Sequence, residues 1–393
     1  MIIPQDYVAG FALAGHHDPA LAETYLRFTG KGDPLADAAL ASVESSVGRR
    51  WIELGIEGGG GALAEAPEQM RAFFAEAERV PDWYHPAATR AGHRAFHGNS
   101  EMLIGAFVGA VLIEGFATLI SKSFAITGRV TDQGVRRLQQ NNRHLVEIFM
   151  PGGLDRQGEG WKLSVRIRLM HARIRQLLSR SPEWEEPAWG VPLHAAHIGF
   201  ATAAFSGLLL HRGRQLGLRF SAEEAESIML VWRYAGHLMG VPPDLQAATE
   251  AEALHLVAIG RMCEPKPQME AIMLANSLIN SAPLVAGITE PAARRRLSRY
   301  VYRVSRALIG DEMADQLNYP KASTFGVLPF LRLRNGADRL LRKLLPGQEQ
   351  RRRAGQFRRM LDLSFVERGM ISYRLPGTLH AEKDRDAGRD AAG

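Results

Sequence analysis

The chain has 393 residues, of which 46% are hydrophobic and 23% are charged, so it can bury a large core and has an ordinary globular composition. Its single cysteine, Cys263, excludes an internal disulfide framework and cysteine-rich zinc sites. The net charge of +6 is concentrated in residues 332–359, where ten Lys or Arg side chains accompany two acidic ones.

Helical periodicity recurs along almost the whole chain, whereas the alternation typical of strands is scarce. The pattern predicts helices over residues 20–29, 34–50, 67–78, 86–97, 100–121, 132–148, 162–180, 192–217, 221–239, 246–260, 267–279, 290–310, 312–317, 336–345 and 349–370. The predicted fold class is therefore all-α, with one large helical domain and extra flanking helices.

Gly- and Pro-rich breaks separate the predicted helices, but none of them is a long polar linker. We therefore predict an N-terminal helical arm (1–79), a large helical domain (80–320) and a basic C-terminal helical extension (321–375). The polar last segment (376–393) has a composition typical of disorder.

Several predicted helices begin with residues that favour a helix start. Ser221 and Glu224 have the spacing of a capping box, and Pro192 and Pro291 suit the first turn of a helix. Thr131 and Asp132 are suited to cap the helix that follows them.

Residues 102–120 are long and apolar enough to span a bilayer, with Glu114 as their only charged residue. A glutamate in mid-span is costly in lipid, and the small residues of this stretch suit close helix packing, so we favour a buried core helix. The N-terminus lacks the pattern of a secretory signal, and the expected location is cytoplasmic.

The basic residues 332–359 have three interpretations. Nucleic-acid binding is not expected, because no recognised motif accompanies the charge. A peripheral contact with an anionic membrane is a second interpretation, because leucines alternate with arginines in FLRLRNGADRLLRKLL. The third is a solvated face of a terminal helix pair.

Four histidines lie on predicted apolar helices: His171, His194, His197 and His237. His194 and His197 are three residues apart and share a helix face. The small residues around them would let a flat macrocycle or another helix approach closely. A buried histidine that is neutral and hydrogen-bonded is the ordinary alternative to a metal ligand.

Arg168 precedes His171 by one helical turn, and Arg233 precedes His237 in the same way. Arginine pairs with carboxylates, so Arg168 is suited to bind a porphyrin propionate or a bound dioxygen. A salt bridge to the acidic residues 183–186 is the alternative.

The metal-ligand spacing narrows the choice of centre. His194-x-x-His197 supplies only two zinc ligands. A di-iron bundle needs two Glu-x-x-His motifs, and only Glu252-x-x-His255 occurs. A non-covalent haem b with histidine ligation is the metal centre that this pattern favours.

A set of motifs in a fixed order resembles one known family. The motifs are GRV (128–130), FMPGGLDRQGEGWKLSVRIRLMHARIR (149–175), WGVPLHAAHIGFATAAFS (189–206), EEAESIMLVWRYAGHLMGVPPDL (223–245) and ALIGDEMADQLNYP (307–320). They resemble the catalytic domain shared by bacterial latex-clearing proteins (rubber oxygenases) and the endoplasmic-reticulum oxygenase of mycophenolic acid biosynthesis, over residues 80–320.

The resemblance implies an all-helical fold with a globin-like core, a b-type haem and a histidine as the proximal iron ligand. Well-studied members cleave carbon–carbon double bonds with dioxygen. By position, Arg168 matches a functional arginine of the family. His171 falls where rubber oxygenases have a distal-side lysine, and Ala172 replaces a threonine, which puts rubber cleavage in doubt.

His197 best matches the proximal ligand, with His194 as its near neighbour. His237 matches a further histidine that supports haem binding. Glu147 and Glu159 are candidates for a general base proposed in rubber oxygenases.

We therefore interpret the chain as a haem-dependent oxygenase that acts with dioxygen on an apolar, small or polymeric substrate. His197 and His171 are the expected iron ligands, Arg168 and His171 the expected catalytic residues. Arg168, His194, His197 and His237 are the expected cofactor-binding residues. A non-catalytic haem- or lipid-binding protein and a di-iron carboxylate enzyme are the alternatives.

Overall fold

A computed structural model describes residues 2–43, 45–127 and 134–344, together with Pro376 and Leu379. Every regular element within these residues is helical, so the all-α prediction is confirmed. Three predictions lie outside the described part. They are the helix over 349–370, the caps Thr131 and Asp132, and the tail 376–393 except for Pro376 and Leu379.

Residues 2–43 and 45–79 contain five α-helices. They are α1 (Val8–Gly15), α2 (Pro19–Arg27), α3 (Pro34–Ala41), α4 (Ser45–Gly58) and α5 (Glu68–Ala77). Asp18 and Asp33 cap α2 and α3, each through a carboxylate that accepts a backbone N–H of the first turn, and a proline follows each cap. The helix α1 was not predicted from the sequence.

Fifteen further α-helices follow in the described residues. They are α6 (Arg90–Gly98), α7 (Ser100–Ala106), α8 (Leu112–Phe116), α9 (Ile120–Ile126), α10 (Gly134–Ile148), α11 (Glu159–Leu178), α12 (Glu186–Trp189), α13 (Ala195–Ala203), α14 (Leu209–Gln215), α15 (Ala222–Leu238), α16 (Glu250–Cys263), α17 (Met269–Val285), α18 (Pro291–Ile309), α19 (Asp311–Gln316) and α20 (Val327–Leu344).

Two of the predicted helix starts are found and one is wrong. Ser221 and Glu224 form both hydrogen bonds of a capping box at α15, and Pro291 is the first residue of α18. Pro192 does not begin a helix, because α13 starts only at Ala195.

Two predicted helices are interrupted by π-helical turns. Residues 100–121 divide into α7, the π segment Phe107–Val111 and α8, and α13 is joined to α14 by a second π segment, Ala204–Leu208. The two π segments meet through the rings of Phe107 and Phe205, whose centroids are 5.1 Å apart.

The apolar stretch 102–120 is packed inside the protein. Its glutamate, Glu114, is fully buried and accepts hydrogen bonds from Arg212 and Arg261, each at 2.6 Å. Within the described residues, no single helix meets the length and hydropathy needed to cross a bilayer. One bent pair, Pro86–Gly98 with Ser100–Phe116, meets them jointly across an 86° bend.

The arm and the larger helical region share one hydrophobic core. Helix α1 crosses α16 at such short range that a Cβ on Gly10 would lie 2.3 Å from the carbonyl oxygen of Cys263. Only glycine permits that approach. This crossing carries Tyr7, at the start of α1, into the interior next to α13 and α16.

Candidate metal centre

Helix α13 begins with a histidine cap. His194 precedes its first residue, and the His194 Nδ1 accepts a hydrogen bond from the His197 backbone N–H at 3.1 Å. The Ala195 N–H donates to the Lys31 carbonyl at 2.8 Å, which ties this helix start to the arm. A neutral imidazole whose Nδ1 is an acceptor carries its proton on Nε2, so the cap fixes the tautomer of His194.

The two imidazoles of α13 stack and converge on one hydroxyl group. The ring centroids of His194 and His197 are 3.6 Å apart, and both residues are buried, at 0% and 1% exposure. Their Nε2 atoms lie 3.0 and 3.2 Å from the Tyr7 hydroxyl. Because His194 carries its proton on Nε2, it donates to the Tyr7 oxygen, and the Tyr7 hydroxyl donates to Glu264 Oε1 at 3.0 Å.

Glu264, which follows α16, is a buried carboxylate surrounded by donors. The Tyr25 hydroxyl donates to its Oε1 at 2.7 Å, and the Leu119 N–H donates to its Oε2 at 3.0 Å. Burial opposes its ionisation, but His197 and these hydrogen bonds outweigh burial and lower the pKa of Glu264. Burial and the charge of Glu264 raise the pKa of Tyr7 and of Tyr25, so both phenols stay protonated.

The tautomer of His197, unlike that of His194, is not fixed by a hydrogen bond at Nδ1. That atom is buried and has no hydrogen-bond partner among the described residues. Its Nε2 lies 3.3 Å from Glu264 Oε1 and can either donate to the carboxylate or offer a lone pair to a metal. His194 can offer its Nε2 lone pair only by giving up the helix cap.

One atom each from His194, His197 and Glu264 lie within 4.8 Å of one another, close enough to hold one metal ion. Ligand atoms at right angles around an ion at about 2.1 Å are about 3 Å apart, near the 3.3 Å between His197 Nε2 and Glu264 Oε1. Two histidines and one carboxylate form the ligand set of non-haem iron oxygenases, and His194 would join His197 and Glu264 in such a set only by giving up its cap of α13.

The same arrangement does not fit a porphyrin on His197. A haem iron needs the Nε2 lone pair of its axial histidine and an open, flat space in front of that atom. The Tyr7 hydroxyl and the Glu264 carboxylate occupy that position, and both residues are buried. The small residue Gly199 does not face a macrocycle either, because a Cβ there would lie 2.8 Å from Leu245.

Arg168 lies in a buried ion cluster with acids of the arm. Its Nε and Nη2 bind the two carboxylate oxygens of Asp33 at 2.5 and 3.2 Å, and its Nη1 binds Glu76 at 2.7 Å. An ion pair of Arg168 is thus present, with Asp33 and Glu76 as partners instead of the acidic residues 183–186. The catalytic and cofactor-binding roles of Arg168 stay predictions.

His237 lies close to that ion cluster. It stacks on Tyr234 and meets the edge of Trp83, and its pKa is lowered by burial although the charge of Glu76 opposes the shift. His171 is half-buried one turn after Arg168 on α11 and does not belong to the three-residue group at Glu264. The structure therefore brings His194 and His197 together. The iron-ligand and catalytic roles of His171 and the cofactor-binding role of His237 stay predictions.

The other residues considered in the sequence, the Glu252-x-x-His255 motif, Cys263 and the general-base candidates Glu147 and Glu159, lie outside this cluster. Glu252 completes a capping box at the start of α16, and the exposed His255 pairs with Asp18 at 2.8 Å. Burial and the charge of Glu264 raise the pKa of Cys263 to about 12, which keeps this thiol protonated. Glu147 and Glu159 both lie near Arg143, at 3.9 and 3.6 Å.

Sequence reasoning missed Tyr7, Tyr25 and Glu264. Tyr7 precedes a short helix with no clear periodicity, and Glu264 lies in the break EPKP. The only local sign was an acidic residue placed directly between the end of a buried helix and a proline.

The described residues thus form a helical protein with a buried cluster of two histidines and one carboxylate. Residues 94–343 match the family described as ER-bound oxygenase mpaB/B'/Rubber oxygenase, catalytic domain. The chain therefore belongs to this family, which confirms the resemblance seen in the sequence.

Two relatives illustrate the likeness. The chain is 26% identical over 269 residues to a rubber oxygenase of Streptomyces sp. (strain K30), an alignment that covers 65% of this chain and 61% of that protein. The structure of latex clearing protein in its closed state matches with a TM-score of 0.58 and 20% identity, covering 83% of this chain and 84% of that one. At this level of identity, the likeness to latex clearing protein shows that the two proteins share a fold.

Proposed function

We propose that this protein is an iron-dependent oxygenase that acts with dioxygen on an apolar substrate. The observation that carries the proposal is the buried approach of His197 to Glu264, inside the segment that matches the oxygenase family. The name of the rubber oxygenase relative supports an apolar, unsaturated substrate, small or polymeric.

The form of the iron is the finer part of the proposal. The resemblance to the family implies haem b on His197, which would require Tyr7 and Glu264 to withdraw from the His197 Nε2. A single iron ion between His197 and Glu264 requires only that the Tyr7 hydroxyl move aside. We propose the single ion, because the described side chains favour it, and keep haem b as the alternative. In either form, bound iron would supply the activation of dioxygen.

The surrounding residues would position these two ligands. Tyr25 and the Leu119 N–H orient the Glu264 carboxylate, and His194 caps α13, the helix that carries His197. Complete burial excludes bulk water from the ionised carboxylate and strengthens its attraction for a cation.

Metal analysis and an absorption spectrum of the purified protein test this proposal. We expect about one iron per chain without the intense Soret band of haem. His197→Ala should lose the iron, whereas His194→Asn should keep it, because asparagine also caps helices and His194 is not an obligatory ligand. Thermal melts of both variants serve as the folding control.

Three other outcomes are decisive. A Soret band that disappears in His197→Ala establishes haem b in place of the single ion. Two non-haem irons per chain would establish the di-iron alternative. A colourless protein that takes up neither ferrous iron nor added hemin would overturn the proposed function.

We also propose a peripheral contact with anionic membranes through residues 332–359, of which the structure describes the part up to Leu344. Phe330 and Leu333 are 63% and 74% exposed on α20, near the exposed Arg332 and Arg334. Exposed apolar side chains among arginines are typical of helices that lie on membrane surfaces.

A further inference from the structure

A cavity of about 330 Å³ lies between α7, α10, α17, α18 and α20. None of its lining residues belongs to the buried cluster of His194, His197 and Glu264. Most of its wall is apolar, including Val108, Leu138, Val285, Val301, Val304 and Leu331. Its volume is about twice the roughly 150 Å³ of an engineered cavity that holds benzene, so it has room for about twelve non-hydrogen atoms.

Gly109 shows that the space is open on one side of the π segment. This glycine is buried, yet a Cβ at its position would meet no atom within 4 Å. Buried glycines elsewhere are in tight contact, such as Gly199 against Leu245. π-helical segments inside α-helices are frequent at functional sites.

Asn142 places a buried hydrogen-bond acceptor in the cavity wall. It lines the cavity, is only 2% exposed, and its Oδ1 has no hydrogen-bond partner among the described residues. Buried side-chain acceptors are normally paired, because an unpaired one loses its hydration without compensation. The atom therefore lacks one O–H or N–H donor.

The cavity can be reached from solvent. Tyr300 on α18 and Arg334 on α20 line it, and both are exposed. A small molecule can therefore enter beside these two residues and reach Asn142.

We propose that this cavity binds a small apolar molecule with one hydroxyl group. The hydroxyl donates to Asn142 Oδ1, and the apolar body lies against Gly109 and the aliphatic wall. The inference goes beyond the proposed oxygenase activity and does not depend on iron, so binding is measured on the protein with and without metal and should be equal in both.

The matched probes 2-naphthol and 2-methoxynaphthalene test the role of Asn142. They have similar size, but only 2-naphthol has a hydroxyl donor. In a fluorescence titration we expect 2-naphthol to bind about ten-fold more tightly, as one buried hydrogen bond provides. Asn142→Leu should abolish this difference.

Equal affinities, or tighter binding of the methoxy compound, would overturn the requirement for a donor. Absence of saturable binding of either probe would overturn the site itself and leave a cavity that holds only water.

Variants that fill the cavity test whether the probes bind inside it. Gly109→Leu should weaken the binding of both probes at least ten-fold, and Val304→Trp should do the same from the opposite wall if the first variant folds poorly. Gly15→Leu is the matched control, because a Cβ on Gly15, at the end of α1, also meets no atom within 4 Å. Unchanged affinity in both filling variants contradicts the assignment.

Discussion

At the scale of single residues, His194 and His197 lie in the same apolar segment, but only His194 has its tautomer fixed by a hydrogen bond. The sequence predicted that they share a helix face, but His194 is the cap before α13 and only His197 lies within the helix, although their two rings stack. It could not predict that the His197 N–H would bind Nδ1 of His194 and so fix only one of the two tautomers. Their partners Tyr7 and Glu264 are 257 residues apart from each other, and no local pattern reports a contact at that separation.

Another histidine, His144 on α10, makes the stability of the protein depend on pH. Its Nε2 lies 2.9 Å from the Ser164 hydroxyl, and burial lowers its pKa to about 4. Between pH 6.5 and 4 the unfolded chain binds a proton at His144 that the folded protein does not bind. The free energy of unfolding should therefore fall by about 2 kcal/mol between pH 7.5 and pH 5 from this residue.

Chemical denaturation of the wild type and His144→Gln at both pH values measures this contribution. The wild type should lose about 2 kcal/mol more than the variant, which keeps a polar side chain but has no titrating group. Parallel pH dependence of the two proteins contradicts the prediction.

At the scale of the helices, most elements could be predicted because their apolar residues recur with helical period. The predicted helices over 100–121 and 192–217 nevertheless contain π turns. These turns occur where Phe107 and Phe205 pack together, a tertiary contact that periodicity does not encode. The start of α13 was placed too early because Pro192 suits a first turn, whereas His194 is the actual cap.

Helix α8 depends on the charges that surround Glu114. In Glu114→Leu, Arg212 stays buried without a carboxylate, while Arg261 is exposed enough to reach water. We expect a loss of about 3–5 kcal/mol in the free energy of unfolding. Urea denaturation provides the measurement.

The double variant Glu114→Leu/Arg212→Met is the control for that substitution. It removes both charges of the buried pair and should recover most of the lost stability. A single variant within about 0.5 kcal/mol of the wild type, the usual range for a surface change, would show that the pair is not needed.

At the scale of the whole molecule, the exposed face of α20 determines the proposed membrane contact. The double variant Phe330→Ser/Leu333→Ser should bind vesicles that contain anionic lipid at least about ten-fold more weakly than the wild type. Added salt should weaken the binding of the wild type, because the arginines contribute through their charge. Vesicle co-sedimentation measures both effects.

The matched control for this variant is Met269→Ser/Met273→Ser, since these side chains are also exposed, at 64% and 41%, but lie on α17. Equal losses in both double variants contradict a specific contact through α20.

The sequence separated an arm (1–79) from the larger helical region, but their side chains form one core. The arm supplies Tyr7 and Tyr25 to Glu264, and Asp33 and Glu76 to Arg168. Such contacts depend on how distant helices pack, so composition and periodicity did not reveal them.

This dependence has a consequence for how the protein is made. The ribosome synthesises Tyr7 long before Glu264. The Tyr7 hydroxyl therefore cannot bind the Glu264 carboxylate until two-thirds of the polypeptide has been synthesised. A truncated product that starts at residue 94, where the family match starts, would keep Glu264 and Arg168 but have none of these four partners. We therefore expect the early-synthesised arm to be required for a folded product, even though it lies outside the family match.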